Sequence, residues 1–172
     1  MPEANLIITY DPSHAGSAKE EVDRVLKEIK KKAKHLKSEI DGVFKVNIPN
    51  TKKVVKELNK LCKKDSSLFN HTFNWVPIDK WVKTNIKGMQ KEIKKFDKDI
   101  KKTEKWMMDL NKRHYDKEGT TELILKLTEV IDKPKVDLKN PQKIVKVEIM
   151  GNKAGLALLE AEELLSVPKI KK

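Results

Sequence analysis

Residues 136–159 read VDLKNPQKIVKVEIMGNKAGLALL, and this stretch decides what the rest of the chain must be. From Lys143 to Met150, apolar Val145, Val147 and Ile149 alternate with Lys146 and Glu148, the period-2 pattern of a strand with one face covered and the other wet. Gly151-Asn152 supplies a turn. From Ala154 the chain is apolar almost without a break through Leu159, as in a strand covered on both faces, and Gly155 lets another backbone approach closely. The two segments are expected to pair as a hairpin, entered through the turn signal Asn140-Pro141.

Working upstream, Trp106, Met108 and Leu110 alternate with Met107, Asp109 and Asn111, which predicts a strand ending in the cationic tip Lys112-Arg113-His114. A helix follows with Leu123, Ile124, Leu127, Val130 and Ile131 inward, and Pro134 stops it. Before that strand, Val82, Ile86, Met89, Ile93, Phe96 and Ile100 recur at helical spacing, so a one-faced helix capped by Asp79 is expected. Its other face carries Lys83, Lys87, Lys91, Lys94, Lys95, Lys98, Lys101 and Lys102. Such a face is either simply solvated or an electrostatic track for a sugar-phosphate backbone. Downstream, Ala161 to Lys172 reads as a short helical turn and a loose tail.

The first half predicts strand, helix, hairpin, helix, strand. Asn5 to Tyr10 has the length and β-branched content of a buried strand. Ser17 and Glu20 form a capping-box pattern for a helix that keeps Ala18, Val22, Val25, Leu26, Ile29, Ala33 and Leu36 on one stripe. Gly16 alone lacks the phosphate-loop pattern. Asp41-Gly42 is a tight-turn dipeptide between Glu39-Ile40 and the strand Val43 to Ile48. Val54, Val55, Leu58, Leu61 and Cys62 mark a second helix, on which Cys62 is a buried, inert thiol, and His71 to Val76 reads as the last strand. This order is a split βαβ, or ferredoxin-like, unit. The expected fold class is therefore α+β, mixed α/β, with residues 1–78 as an N-terminal ferredoxin-like domain and 79–172 as a second α/β domain.

The chain of 172 residues carries a formal charge of +12, almost entirely from lysine, because Arg24 and Arg113 are the only arginines. Lysines are mobile point charges suited to phosphates, whereas guanidinium forks suit bidentate base reading. The balance favours a polyanionic partner bound through its backbone; lysine and glutamate enrichment as in heat-adapted surfaces is the competing account. A single cysteine rules out a disulfide framework within the chain. No secretory segment or membrane-length apolar run is present, so a soluble, cytoplasmic protein is expected. His14, His35, His71 and His114 lie in four different elements without metal-ligand spacing, and nucleophile-elbow, Rossmann and P-loop patterns are missing. No metal, cofactor or catalytic residue is expected.

The run VDLKNPQKIVKVEI, followed by a small-residue strand and preceded by a helix and a strand ending in Lys112-Arg113, resembles the THUMP domain, an RNA-binding module of tRNA-modifying enzymes. The resemblance extends from about Val76 to Leu159, and more narrowly the chain looks like the stand-alone THUMP adaptors that serve the tRNA cytidine acetyltransferase. Val136, Asp137, Leu138, Asn140 and Pro141 match the family's motif, Arg113 falls on the arginine ending its strand, and Lys146 and Gly155 occupy matching strand positions. His114 stands where the adaptors tend to have asparagine. The resemblance implies a THUMP domain over 79–172 in a non-catalytic tRNA-binding protein, which presents the acceptor end to a separate modifying enzyme such as an acetyltransferase. An enzyme with an unrecognised site and a protein-interaction module are the rival readings. The candidate RNA contacts are Arg113, Lys112, Asn140, Lys143, Lys146, Lys153, Lys91, Lys94 and Lys98. For Arg113 the alternative is a surface salt bridge to Asp116 or Glu118.

Overall fold

The computed structural model describes residues 3–172, which form two compact units: 3–77 with 162–172, and 78–161. In the first unit, β1 (Leu6–Tyr10), α1 (Ala15–Glu28), β2 (Lys34–Leu36), β3 (Val43–Asn47), α2 (Thr51–Lys64) and β4 (Thr72–Pro77) follow in the ferredoxin-like order, with sheet neighbours β2-β3-β1-β4 all antiparallel. One face of this sheet and the inward stripes of α1 and α2 close a core around Leu6, Ile8, Val25, Leu58, Phe69 and Trp75. Cys62 lies in that core, and burial pushes its thiol up from the ordinary range.

Three local expectations are corrected here. The apolar stripe predicts a helix running on to Leu36, but α1 stops at Glu28 because Lys30 takes a left-handed conformation at φ 58°. The Lys30 N–H donates to Lys27 O at 2.9 Å and the Lys31 N–H to Leu26 O at 2.8 Å, a Schellman closure with lysine in the place usually held by glycine. Ala33 still reaches the core, carried by the chain that becomes β2. Second, it is Lys34–Leu36, not Glu39-Ile40, that pairs with β3, in the register His35↔Val46. Gly42 takes φ +85° in the loop between them. Third, Ser17 does not cap α1, which already begins at Ala15 after a 3-10 turn capped by Asp11.

The tail is also more ordered than expected and belongs to the first unit. The chain crosses to β9 (Leu165–Ser166), which extends the sheet beside β4, and ends in α5 (Val167–Lys171). Asn59 on α2 fixes the entry, its amide Nδ2 donating to Glu162 O at 2.7 Å and Leu164 O at 3.1 Å. Leu165 and Val167 then join the first core. The division expected at 78/79 with the tail in the second domain is corrected accordingly.

The second unit is a four-stranded sheet in the order β5-β8-β7-β6, with two helices on one face. Its elements are β5 (Lys80–Lys83), α3 (Ile86–Asp97), β6 (Trp106–Arg113), α4 (Thr120–Thr128), β7 (Lys143–Met150) and β8 (Lys153–Glu160). The hairpin β7-β8 forms as expected, and β6 runs parallel to β7. Asp79 does not cap a helix. Its N–H donates to Leu156 O and its carboxylate accepts the Leu158 N–H, so the chain is drawn along the edge of β8 as β5. The helix begins later, where Asn85 Oδ1 accepts the Gly88 N–H at 2.7 Å. Met89, Ile93, Leu123 and Leu127 pack on Met108, Leu110, Val145, Val147 and Ile149 to form the second core. Gly155 is required where it stands, because a Cβ there would lie 2.8 Å from Ile78 Cδ1.

Candidate nucleic-acid interface

Because β6 and β7 are parallel and β8 and β5 run against them, the sheet of the second unit has two ends of distinct chemistry. Eight-residue strands put them about 23 Å apart at ~3.3 Å per residue. At one end lie Arg113, the turn Gly151-Asn152, Lys153 and Lys83, the last two paired in register. Gly151 N–H donates to Arg113 O at 2.8 Å and Thr84 N–H to Asn152 O at 3.0 Å, so three neighbouring segments are tied together. The N-termini of α3 and α4 follow β5 and β6 here and add unsatisfied amides to the same positive end. Lys112 Nζ reaches Tyr115 O at 3.2 Å. Tyr115 donates its hydroxyl to Glu118; burial, then that carboxylate, push its pKa up to about 12.

The other end is built around Asp137. Its Oδ1 accepts the N–H groups of Lys139 at 2.9 Å and Asn140 at 3.0 Å, and these two bonds, with Lys105 beside Oδ2, hold the carboxyl below the usual aspartate range. Trp106 bridges to Val136, its N–H donating to Lys135 O and its carbonyl accepting from Asp137 N. The motif VDLKNP is thus a loop laced to the start of β6, presenting exposed Asn140 and leaving Val136 and Leu138 open to solvent. Several cations of this end are locally paired: Lys143 with Glu104 at 3.5 Å, Lys133 with Asp97 at 2.9 Å and Lys105 with Asp137 at 3.7 Å.

Between the ends runs α3. Lys87, Lys91, Lys94 and Lys98 recur four, three and four apart on the side away from Met89 and Ile93, and all four are exposed. Among the described residues none of the four makes a side-chain hydrogen bond or ion pair; the helix's own pair joins Lys95 to Glu92. At ~1.5 Å per residue the stripe spans about 16 Å, most of the distance between the two ends.

The sequence-derived contacts therefore separate. Arg113, Lys112 and exposed Lys153 occupy one end, Asn140 and Lys143 the other, and Lys91, Lys94 and Lys98 the outer face of α3. Lys146 belongs to none of these and is corrected: it is 3% exposed, on a strand buried on both faces. Its ammonium lies 2.9 Å from Asp109 and 3.0 Å from Glu148. Glu148 in turn accepts from Asn111 Nδ2 at 3.0 Å and Arg113 Nη1 at 3.0 Å. Two cations, two carboxylates and an amide from β6 and β7 thus form a neutral, mutually satisfied network, the condition under which buried charge is tolerated. Arg113 pairs with Glu148, not with Asp116 or Glu118, and its side chain keeps 27% exposure. Sequence reading missed Glu148 as the partner of both Arg113 and Lys146, and Asp109 as a second partner of Lys146. The available signal was the unbroken apolar run of β8, which implied that its neighbour β7 was covered on both faces too.

Among the described residues, no group of His, Cys, Asp and Glu is placed to hold a metal ion, and no helix is long and apolar enough to cross a membrane. The arrangement lends itself to binding a polyanion along α3 and onto the Arg113 end.

Residues 83–159, nearly all of the second unit, match the THUMP domain family model, in agreement with the resemblance carried by the VDLKNP motif. No curated protein matches the chain. Solved structures share its fold at low identity. PH1313 from Pyrococcus horikoshii Ot3 aligns at 14% identity and TM-score 0.63 over 92% of this chain and 55% of its own. TrmN from Thermus thermophilus aligns at 11% identity and TM-score 0.57 over 89% of this chain and 44% of its own. A 4-thiouridine synthetase, solved as an RNA complex with bound ATP, aligns at 15% identity and TM-score 0.53 over 92% and 42%. The chain spans about half the length of these structures or less.

Proposed function

We propose that this protein binds tRNA through the second unit and presents the acceptor end to a separate modifying enzyme, without catalysing the modification itself. The observation that carries the reading is the unpaired lysine stripe Lys87-Lys91-Lys94-Lys98, leading along α3 between the two ends of a sheet that matches the THUMP domain. Point charges in a row follow a phosphate backbone without reading bases, as expected for RNA recognised by shape and unpaired ends. Fold likeness to a synthetase solved with RNA supports the same partner. The proposed enzyme partner is an acetyltransferase forming acetylcytidine, on the motif resemblance; the role needs no cofactor and sits in the cytoplasm.

The test is binding of purified protein to tRNA over a salt series, with and without the single-stranded 3′ end, for the wild type and Arg113→Lys. Affinity should fall steeply with salt, by ~0.7–0.9 log units per log unit of salt for each phosphate neutralised. Trimming the end should weaken the wild type more than the variant. A flat salt response sinks the RNA reading, whereas turnover of tRNA by the chain alone sinks the non-catalytic one. Loss of acetylcytidine from tRNA in cells lacking the protein identifies the modification served; unchanged acetylcytidine excludes it.

A further inference from the structure

Among the described residues the two sheets have four edges, and three of them are short: β2 has three residues, β9 two and β5 four. Short edge strands are one way in which proteins avoid pairing with another chain. β6 is the exception, with eight residues and β7 on one side only. Its outer side is closed at one point, where Trp106 donates its N–H to Lys135 O and accepts the Asp137 N–H, both at 2.9 Å. Backbone groups of alternate strand residues point to the same side, so those of Met108, Leu110 and Lys112 face outward as Trp106's do. Among the described residues these outward N–H and C=O groups have no partner. The side chains beside the edge are half met as well. Asp109 gives Oδ2 to Lys146 and Arg113 gives Nη1 to Glu148, which leaves Asp109 Oδ1 and Arg113 Nη2 without a partner on side chains 33% and 27% exposed. Asn111 stands between them and is exposed.

We propose that this edge binds a second copy of the chain, the two β6 strands pairing antiparallel about a two-fold axis at Asn111. In that register Leu110 faces Lys112 of the second copy, and each such pair exchanges both backbone bonds because outward-facing residues meet outward-facing residues. Asp109 faces Arg113 of the second copy, so the free carboxylate oxygen meets the free guanidinium nitrogen twice, and no like charges are opposed. The register also leaves the Trp106 bridge intact. Opposite Trp106 and Met107 the second copy has already ended its strand, since His114 turns the chain at φ 57°. Centring the pair on Leu110 would instead drive Arg113 of the second copy into residues 135–137. The edge carries one acid and one base in self-complementary order over a neutral network, not the row of cations that selects a polyanion. The net charge of +12 opposes association at long range but is screened beyond about 8 Å at about 0.15 M salt. Arg113 is also the residue offered to tRNA in the proposed function, and the pairing stands or falls without that reading.

The test uses the full chain without RNA. Sedimentation velocity from about 1 to 500 μM protein should show a reversible monomer–dimer equilibrium, with a Kd of roughly 10–100 μM for an interface below the standard size. Over the same range, amide exchange at Leu110 and Lys112 should slow about fivefold or more, while Asp109 and Asn111, whose amides face β7, stay unchanged. Asn111→Lys keeps a donor beside Glu148 but sets two lysines opposite each other across the axis, and should weaken dimerisation about tenfold. Asn152→Lys, the same charge change in the exposed turn after β7, should weaken it less than about twofold. A monomer at every concentration, a dimer that leaves exchange at Leu110 and Lys112 unchanged, or equal losses in the two variants each overturns the proposal. Protection of these amides at about 1 μM protein only when tRNA is added assigns the edge to RNA and overturns it too. The wild-type exchange decides the matter even where a variant fails to fold.

Discussion

Arg113 Nη1 lies 3.0 Å from Glu148 Oε1, joining the last residue of β6 to a carboxylate that is 1% exposed on β7. A surface pair is worth at most ~1 kcal/mol, but removing one partner from a buried pair leaves the other charge uncompensated. Arg113→Ala should therefore lower stability by about 2–3 kcal/mol in denaturant unfolding, more than a solvated arginine would. Combining it with Glu148→Gln should reveal a coupling above about 1 kcal/mol in a double-mutant cycle. Additive losses would show that the pair does not hold the end of the sheet.

Lys146 and Val147 stand on opposite faces of β7, and both are buried. Val147→Ala removes two methyl groups from the second core and should cost about 1–3 kcal/mol. Lys146→Ala leaves Asp109 and Glu148 facing each other without a cation and should cost about 3 kcal/mol or more. The affinity of the remaining folded protein for tRNA should be unchanged by either substitution. A neutral Lys146→Ala would mean that the network is not closed in solution.

Reversal of the α3 stripe separates a solvated face from a phosphate track. Lys91, Lys94 and Lys98 point away from the core, so changing all three to glutamate should leave the unfolding transition in place. It should weaken tRNA binding and reduce the salt slope by roughly the number of phosphates those residues contact. Unchanged affinity and slope would return the helix to a purely solvated role.

Much of the fold could be read because periodicity reports which residues are buried, and the misreadings arise where burial does not distinguish between structures. Ala33 is buried whether it continues α1 or begins the path to β2; what ends the helix is a left-handed Lys30, and a run of lysines carries no glycine signal for it. Asp79 and Asn85 are equally good caps in sequence, and the choice between them is made by the free edge of β8, which recruits Lys80–Lys83 as a strand. The alternation Val145-Lys146-Val147-Glu148 looks half-wet because charged residues are usually exposed. Here two such residues are matched by Asp109, Asn111 and Arg113 on the adjacent strand, a complementarity visible only once β6 is known to run parallel in that register. Cross-strand pairing also explains why Arg113 was legible as a special position while its partner was not.

The loop over residues 136–141 should be sensitive to acid. The Asp137 carboxylate accepts the Asn140 and Lys139 N–H groups, which favours its charged form and places its folded-state pKa below the ordinary aspartate value of 3.8. For a depressed carboxyl, the stabilisation is fully present above the unfolded-state value and is lost as pH falls through the folded-state one. The loop should therefore be unaffected between neutrality and about pH 4 and should loosen only below 3.8. Amide shifts of Lys139 and Asn140 followed by NMR should titrate together with a midpoint under 3.8, and Asp137→Ala should speed exchange at these amides at neutral pH while β7 amides stay protected. A midpoint at or above 3.8 would show that the aspartate does not hold the turn that presents Asn140.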